Sequence, residues 1–244
     1  MNISDFKKDT LVLICAKGNS KGLKEKNLKL FFGKSLLRRA IQKAKFNNFN
    51  YICLSTESDK VIKVASKSGL KVFFKRSKKL TLTNISKEEV WKDAITKSEK
   101  YFNKKFKYFL DIEVTNPLLT KNDLKKFIKI AYTKLLLDWN GIYYITDSRK
   151  NPYFNIFEKN TKRGFKTCLN LKFKKIRSRQ TAPKTFDHVA GFYYFKTKYL
   201  KSEKNFLFDK KIFGLKIPFF KSYDIDSIDD FNFVKIIYKN YIRI

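Results

Sequence analysis

The chain has 244 residues, with 55 Lys+Arg against 22 Asp+Glu for a formal net charge of +33, yet 43% of it is hydrophobic. That excludes a disordered basic tail and fits one folded domain with, at most, a small appendage. No run approaches the roughly 18–20 apolar residues of a membrane span, three scattered cysteines (Cys15, Cys53, Cys168) exclude a disulfide framework, and one histidine, His188, excludes His-based metal cages and weakens any Ser-His-Asp arrangement.

In chain order, strands and helices alternate. The opening MNISDFKKDT has no apolar h-region, so no secretory signal is expected and a reducing cytoplasmic setting is the default. Leu11–Ala16 is a continuous apolar run, as expected of a strand covered on both faces. Residues 17–34 are polar and Gly-bearing and predict a loop. Leu36, Leu37, Ala40, Ile41 and Ala44 fall at helical spacing between Ser35 and Phe46. Tyr51–Leu54 predicts a second strand, and 59–68 a helix closed by Gly69. Val72-Phe73-Phe74 predicts a third strand. Ser86 with Glu89 forms a capping box opening a helix to about residue 104. Tyr108–Ile112 predicts a fourth strand, 120–134 a helix begun by Thr120, and Ile142–Ile145 a fifth strand. Residues 147–188 are polar and broken by Pro152, Gly164 and Pro183, which predicts an inserted lobe with short strand-like runs such as Cys168–Leu171. Val189–Phe195 returns to the sheet, and Ser227 caps a C-terminal helix. The pattern is α/β with a largely parallel sheet flanked by helices, whose ligand site belongs outside the carboxyl ends of the strands.

The charge invites a nucleic-acid partner, but its composition points elsewhere. Of the cations 47 are Lys and 8 are Arg, and Lys, Asn, Ile, Phe and Tyr fill 125 positions against 28 for Gly, Ala, Pro and Arg. That bias follows A/T-rich codons. The lysines are dispersed, and Arg, the residue suited to phosphate forks and base edges, is scarce. No specific nucleic acid is expected.

The segment LVLICAKGNSKGLKEKN, residues 11–27, carries the most information. Small residues around Gly18 and Gly22 allow backbone N–H groups to approach an oxyanion, and Lys17, Lys21, Lys24 and Lys26 would neutralise it. The same residues also suit an ordinary polar loop in a Lys-rich protein. Neither a P-loop nor a dinucleotide fingerprint is present.

This segment resembles the opening motif of the acylneuraminate (CMP-sialic acid) cytidylyltransferases, I-P-A-R-x-G-S-K-x-I-x-x-K-N, at Ile14, Ala16, Gly18, Ser20, Lys21, Lys26 and Asn27. Lys17 stands for the family's arginine and Cys15 for its proline. Further matches follow in order: STESDKVIKVASKSG at 55–69, Arg76 with Leu80 and Ser86, DIEVTNPLLTKNDL at 111–124, KNPYFNIFE at 150–158, SRQTAPKTF at 178–186, AGFYYF at 190–195 and YDIDSIDDF at 223–231. Almost the whole chain is covered.

The resemblance implies a Rossmann-like nucleotidyltransferase fold in a single domain over 1–244, with the 147–188 lobe helping to form a homodimer. It implies a reaction in which CTP and a 2-keto-3-deoxy sugar acid, a nonulosonic acid, give the CMP-sugar and pyrophosphate. Lys17, Lys21 and Asp226 are the implied catalytic residues. Lys17, Ser20, Lys21, Lys26, Asn27, Arg76 and Ser86 would hold the nucleotide. Glu113, Thr115, Asn116, Arg177, Arg179, Gln180 and Tyr193 would meet the sugar acid. Asp224 and Asp226 would bind Mg²⁺, a hard ion suited to carboxylate oxygens, as two acids placed on one face by strand alternation; capping of the last helix is the competing role for acids here. Arg177, Arg179 and Gln180 could equally belong to an exposed polar loop, and Phe192 and Tyr193 to the core.

One departure concerns the acceptor. Where sialate-activating enzymes commonly have L-Q-P-T-S-P-L, this chain has Ile112-Glu113-Val114-Thr115-Asn116-Pro117-Leu118. An acceptor-only carboxylate at Glu113 disfavours an adjacent anion and favours a donor such as an N-acyl N–H or a hydroxyl. A nonulosonic acid of the legionaminic or pseudaminic type therefore fits at least as well as N-acetylneuraminate. A 3-deoxy-octulosonate cytidylyltransferase is the neighbouring alternative, against which stretch 110–118 argues; a non-enzymatic basic nucleic-acid-binding protein is the alternative of another class.

Overall fold

The computed structural model describes residues 2–20, 22–160, 164–168, 176, 178, 180–202 and 211–242. Its helices are α1 (Ile3–Lys8), α2 (Leu36–Phe46), α3 (Asp59–Lys67), α4 (Lys87–Phe102), α5 (Lys121–Leu136), α6 (Thr197–Ser202) and α7 (Ile228–Tyr241). Its strands are β1 (Thr10–Cys15), β2 (Leu30–Phe31), β3 (Lys34–Ser35), β4 (Tyr51–Ser55), β5 (Tyr108–Ile112), β6 (Gly141–Asp147), β7 (Phe157–Asn160), β8 (Gly164–Thr167), β9 (Phe186–Lys196) and β10 (Ile212–Lys216).

Six strands form the central sheet in the order β10-β6-β9-β5-β1-β4. β1 pairs parallel with β4 and β5, and β10 parallel with β6. Only β9 runs antiparallel, between β5 and β6. The alternation of β1 divides the core. Val12 and Ile14 face the layer built on α2, α5 and α7, while Leu11 and Leu13 face the layer around Trp91 and Ile95 of α4 and Leu200 of α6. Both faces of β1 are dry, which is why its sequence is continuously apolar.

The predicted helix starts follow from side-chain caps. Ser86 with Glu89, Thr120 with Asp123 and Ser227 with Asp230 each make both bonds of a capping box. Gly69 has φ +71° just after the Ser68 cap, a conformation that costs glycine little.

Two expectations fail. Val72-Phe73-Phe74 is not a strand: Phe73 stacks on Tyr101 at 4.1 Å and meets Phe102 at 5.2 Å, and Lys97 sits over Phe74. Packing on α4 replaces ladder pairing, and β4 remains the sheet edge. Asp224-Ile225-Asp226 is also not in a strand. One backbone bond, Ile225 N–H to Thr115 C=O at 2.9 Å, ties this irregular segment to the loop after β5, with Ile225 fully buried. In the lobe, β7 and β8 form a hairpin; the expected run Cys168–Leu171 lies, beyond Cys168, outside the described residues. α1, α6, β10 and the small β2–β3 hairpin appear without having been predicted. They are short, and short elements give little periodicity to read.

Candidate active site

A cleft of about 390 Å³ opens outside the carboxyl ends of β1, β4 and β5. Lys17, Ser20, Lys26, Asn27, Arg76 and Ser86 line it together, with Thr115 on the wall beside β5. Every nucleotide candidate among the described residues is therefore on one surface; Lys21 lies outside the described residues. The Cys15 thiol on the same wall is pushed up to about 12, by burial first and then by the nearby Asp111 charge, so it is an inert thiol here.

The loop after β1 is held from several sides. Asn27 is buried, and its amide donates to the Lys17 carbonyl at 2.8 Å. The Gly18 N–H donates to Glu57 Oε1 at 2.7 Å, and the Lys17 ammonium donates to the Thr81 carbonyl. A Cβ on Gly18 would lie 2.4 Å from the Ser58 Cβ, and one on Gly22 would lie 2.3 Å from the Asp226 carbonyl oxygen. Both positions need glycine because other backbone or side-chain atoms approach closely, whatever their φ.

Arg76 is buried against the end of β4. Its Nε donates to Ser55 Oγ at 2.9 Å and its Nη2 to the Ser55 carbonyl at 2.7 Å, while its own N–H donates to the Thr56 carbonyl. Ser86 lines the cleft but also caps α4: its Oγ accepts from Glu89 N–H. The start of a helix is the end favourable to anions, and here the Ser86 and Glu89 N–H groups are taken by the capping box.

Lys26 Nζ pairs with Asp226 Oδ1 at 2.7 Å. Burial, then the Asp226 charge, hold the Asp224 carboxyl above its ordinary value. Two carboxylates thus share one neighbourhood although no strand puts them there. Among the described residues no group of three or more His, Cys, Asp or Glu could enclose a metal unaided. A carboxylate pair leaves the remaining positions to phosphate oxygens and water, the habit of Mg²⁺ at nucleotide sites.

The sugar-side candidates separate. Asn116 is buried beneath the cleft. Its amide nitrogen donates to the Ala190 and Lys221 carbonyls, each at 3.0 Å, and its oxygen accepts from Leu118 and Leu119 N–H. That side chain braces the loop instead of facing a ligand. Tyr193 is buried in β9, its phenol pushed up by burial, with its ring against Trp91 at 5.5 Å and His188 at 5.4 Å. Gln180 is in an exposed turn outside the cleft wall. Arg177 and Arg179 lie outside the described residues. Glu113 is ion-paired to Lys87, which also lies 2.9 Å from Asp111 Oδ2 and lines the cleft.

Lys87 and Glu57 are contributors the sequence reasoning did not single out. A local signal existed for the first: a lysine in the first turn of a helix opposes the macrodipole, so its place there asks for acidic partners. Glu57 could be found only from the fold that sets β4 beside β1.

The cytidylyltransferase family model matches residues 11–243. The chain is 33% identical over 230 residues to a CMP-N,N'-diacetyllegionaminic acid synthase of Campylobacter jejuni, covering 94% of each chain. It is 31% identical over 230 residues to a pseudaminic acid cytidylyltransferase of the same species, covering 94% of this chain and 96% of that one. Its fold matches a solved CMP:2-keto-3-deoxy-manno-octonic acid synthetase complexed with CTP, with a TM-score of 0.65 at 14% identity, covering 94% of this chain and 98% of the other. The mostly parallel sheet, the Rossmann-like nucleotidyltransferase fold and the family match over nearly the full length agree: this chain belongs to the cytidylyltransferase family.

Proposed function

We propose that the protein is a CMP-nonulosonic acid synthetase: it transfers the cytidylyl group of CTP to a nonulosonic acid of the legionaminic or pseudaminic type and releases pyrophosphate. The observation that carries this reading is the convergence of Lys17, Ser20, Lys26, Asn27, Arg76 and Ser86 on one cleft. Both substrate classes are those in the names of its relatives.

In the reaction the anomeric hydroxyl oxygen of the sugar acid attacks the α-phosphorus, the bond from that phosphorus to the bridging oxygen breaks, and the hydroxyl proton leaves to solvent. Charge grows on phosphate oxygens, so the protein contributes mainly position and fixed positive charge. Lys17, Lys21 and Lys26 neutralise the triphosphate. Asn27 and Arg76 hold their loops against β1 and β4, and the start of α4 at Ser86 is the end of that helix favourable to anions. Asp224 and Asp226 would hold Mg²⁺, which would neutralise phosphate charge. Arg177 and Arg179 of the lobe would meet the acceptor carboxylate, and the lobe would contribute to a homodimer, which sedimentation tests. The described residues contain no helix long and apolar enough to cross a membrane, and the cytoplasm, where CTP is made, is the proposed location.

The test is pyrophosphate release from CTP and Mg²⁺ with a panel of nonulosonic acids and 3-deoxy-octulosonate. Release with an N-acylated nonulosonic acid supports the reading. Release with 3-deoxy-octulosonate alone would move the protein to the neighbouring class, and CTP binding without any release would reject the activity.

A further inference from the structure

Lys87 occupies a position that neither the phosphate cradle nor helix capping requires. It is the first residue of α4, where a positive charge is unfavourable to the helix dipole. Its Nζ lies 2.9 Å from Asp111 Oδ2 and donates to Glu113 Oε1. It also sits 4.2 Å from the centre of the Tyr193 ring and 5.2 Å from that of Trp91, positions that favour an ammonium over an aromatic face. Trp91 Nε1 donates to the same Asp111 oxygen at 3.1 Å. Asp111 is fully buried, and its other oxygen has no hydrogen-bond partner among the described residues. Four groups, on α4, on β5 and the residue just after it, and on β9, therefore fix one ammonium, and Lys87 is among the residues that line the cleft.

Its second carboxylate is the informative one. Glu113 follows β5, with its N–H held by the Gly191 carbonyl at 2.9 Å. Taken alone, Glu113 repels an anionic acceptor. With Lys87 on one of its oxygens, that repulsion is offset, and the other oxygen remains an acceptor at a defined place. Resting on the proposed synthetase function, we propose that Lys87 is a positioning and specificity residue: it neutralises Glu113 so that a sugar acid can approach, and it aims Glu113 at an amide N–H of an N-acylamino sugar acid. The purely structural role, balancing the buried Asp111, needs no coupling to Glu113.

Steady-state kinetics of the wild type, Glu113→Gln, Lys87→Met and the double variant test this, with CTP and two acceptors, an N-acylated nonulosonic acid and 3-deoxy-octulosonate. Glu113→Gln leaves the Lys87–Asp111 pair intact. It is expected to lower the preference in kcat/KM for the N-acylated acceptor by about tenfold or more, with the KM for CTP within about twofold of wild type. Lys87→Met is expected to raise the acceptor KM about tenfold in the wild-type background and by about twofold or less in the Glu113→Gln background, where position 113 carries no charge beside the acceptor. Should Lys87→Met not fold, Lys87→Arg takes its place, and a preference shift of about threefold or more supports the role, since a planar fork cannot repeat the point contact of an ammonium. Equal losses in both backgrounds, or a CTP KM that moves with the acceptor KM, would overturn the proposal. A wild type that binds CTP but turns over neither acceptor rejects the synthetase reading itself, an outcome distinct from uncoupled variants of an active enzyme.

Discussion

Lys26 and Asp226 stand 200 positions apart in the sequence, yet their side chains meet at 2.7 Å. The pair joins the loop after β1 to the segment before α7. Asp226 is 78% exposed and Lys26 only 11%, so the lysine, which lines the cleft, is the fixed partner and the carboxylate is open to solvent.

Because Asp226 is so exposed, Asp226→Ala should leave stability within about 0.5 kcal/mol of wild type in urea unfolding. Turnover should fall by about a hundredfold or more, and excess Mg²⁺ should not restore it. Full activity in that variant would reject the cation assignment.

Gly22 touches the same segment through its backbone. An added Cβ would meet the Asp226 carbonyl at 2.3 Å, and neither backbone can yield without moving the loop or the start of α7. Gly22→Ala is therefore expected to lower kcat/KM by about tenfold or more, with a stability loss of about 1–3 kcal/mol. Calorimetry and initial rates on one preparation check both.

Lys43 lies beneath the Thr115-Asn116 loop, buried, with Nζ donating to the Asn116 carbonyl at 3.0 Å. Burial first, then the nearby Arg39, pulls its pKa down to about 7, and Asp123 acts in the opposite direction. The unfolded chain binds this proton up to the ordinary lysine range and the folded chain does not. Stability due to this group therefore rises with pH from about 7 to about 10.5 and is lowest below that window. Lys43→Met should be the more stable protein at pH 6, with its advantage shrinking by up to about 1.4 kcal/mol per pH unit above pH 7. A difference in urea midpoint independent of pH would contradict this.

Lys126 and Lys129 on α5 are exposed and do not line the cleft. Replacing both with Gln is expected to leave kcat/KM within about twofold of wild type. A large loss would mean that the +33 charge serves the reaction through the field of the whole protein.

Much of the fold is legible locally. The continuous apolar run of β1 announces a strand with two dry faces, and Ser86-Glu89, Thr120-Asp123 and Ser227-Asp230 mark helix starts, because a cap is satisfied within three residues. Where packing competes with local preference, local signals mislead. Val72-Phe73-Phe74 has strand composition but lies against Tyr101 and Phe102, and Asp224-Ile225-Asp226 alternates like a strand but is held by one backbone bond to Thr115 and by bonds of Asp226 with the Lys26 and Asp230 side chains.

The residue types of the site, its lysines, its glycines and its acids, are determined by the sequence alone, as is their order along the chain. Which of them meet is decided only by the tertiary structure. Lys26 finds Asp226, Gly18 finds Glu57, and Lys87 draws Glu113 and Asp111 together because β1, β4 and β5 lie side by side with their carboxyl ends at one rim. The physical reason is range. A cap or a strand run is settled by neighbours a few positions away, whereas charges on distant segments interact only after the core has brought them within a few ångströms.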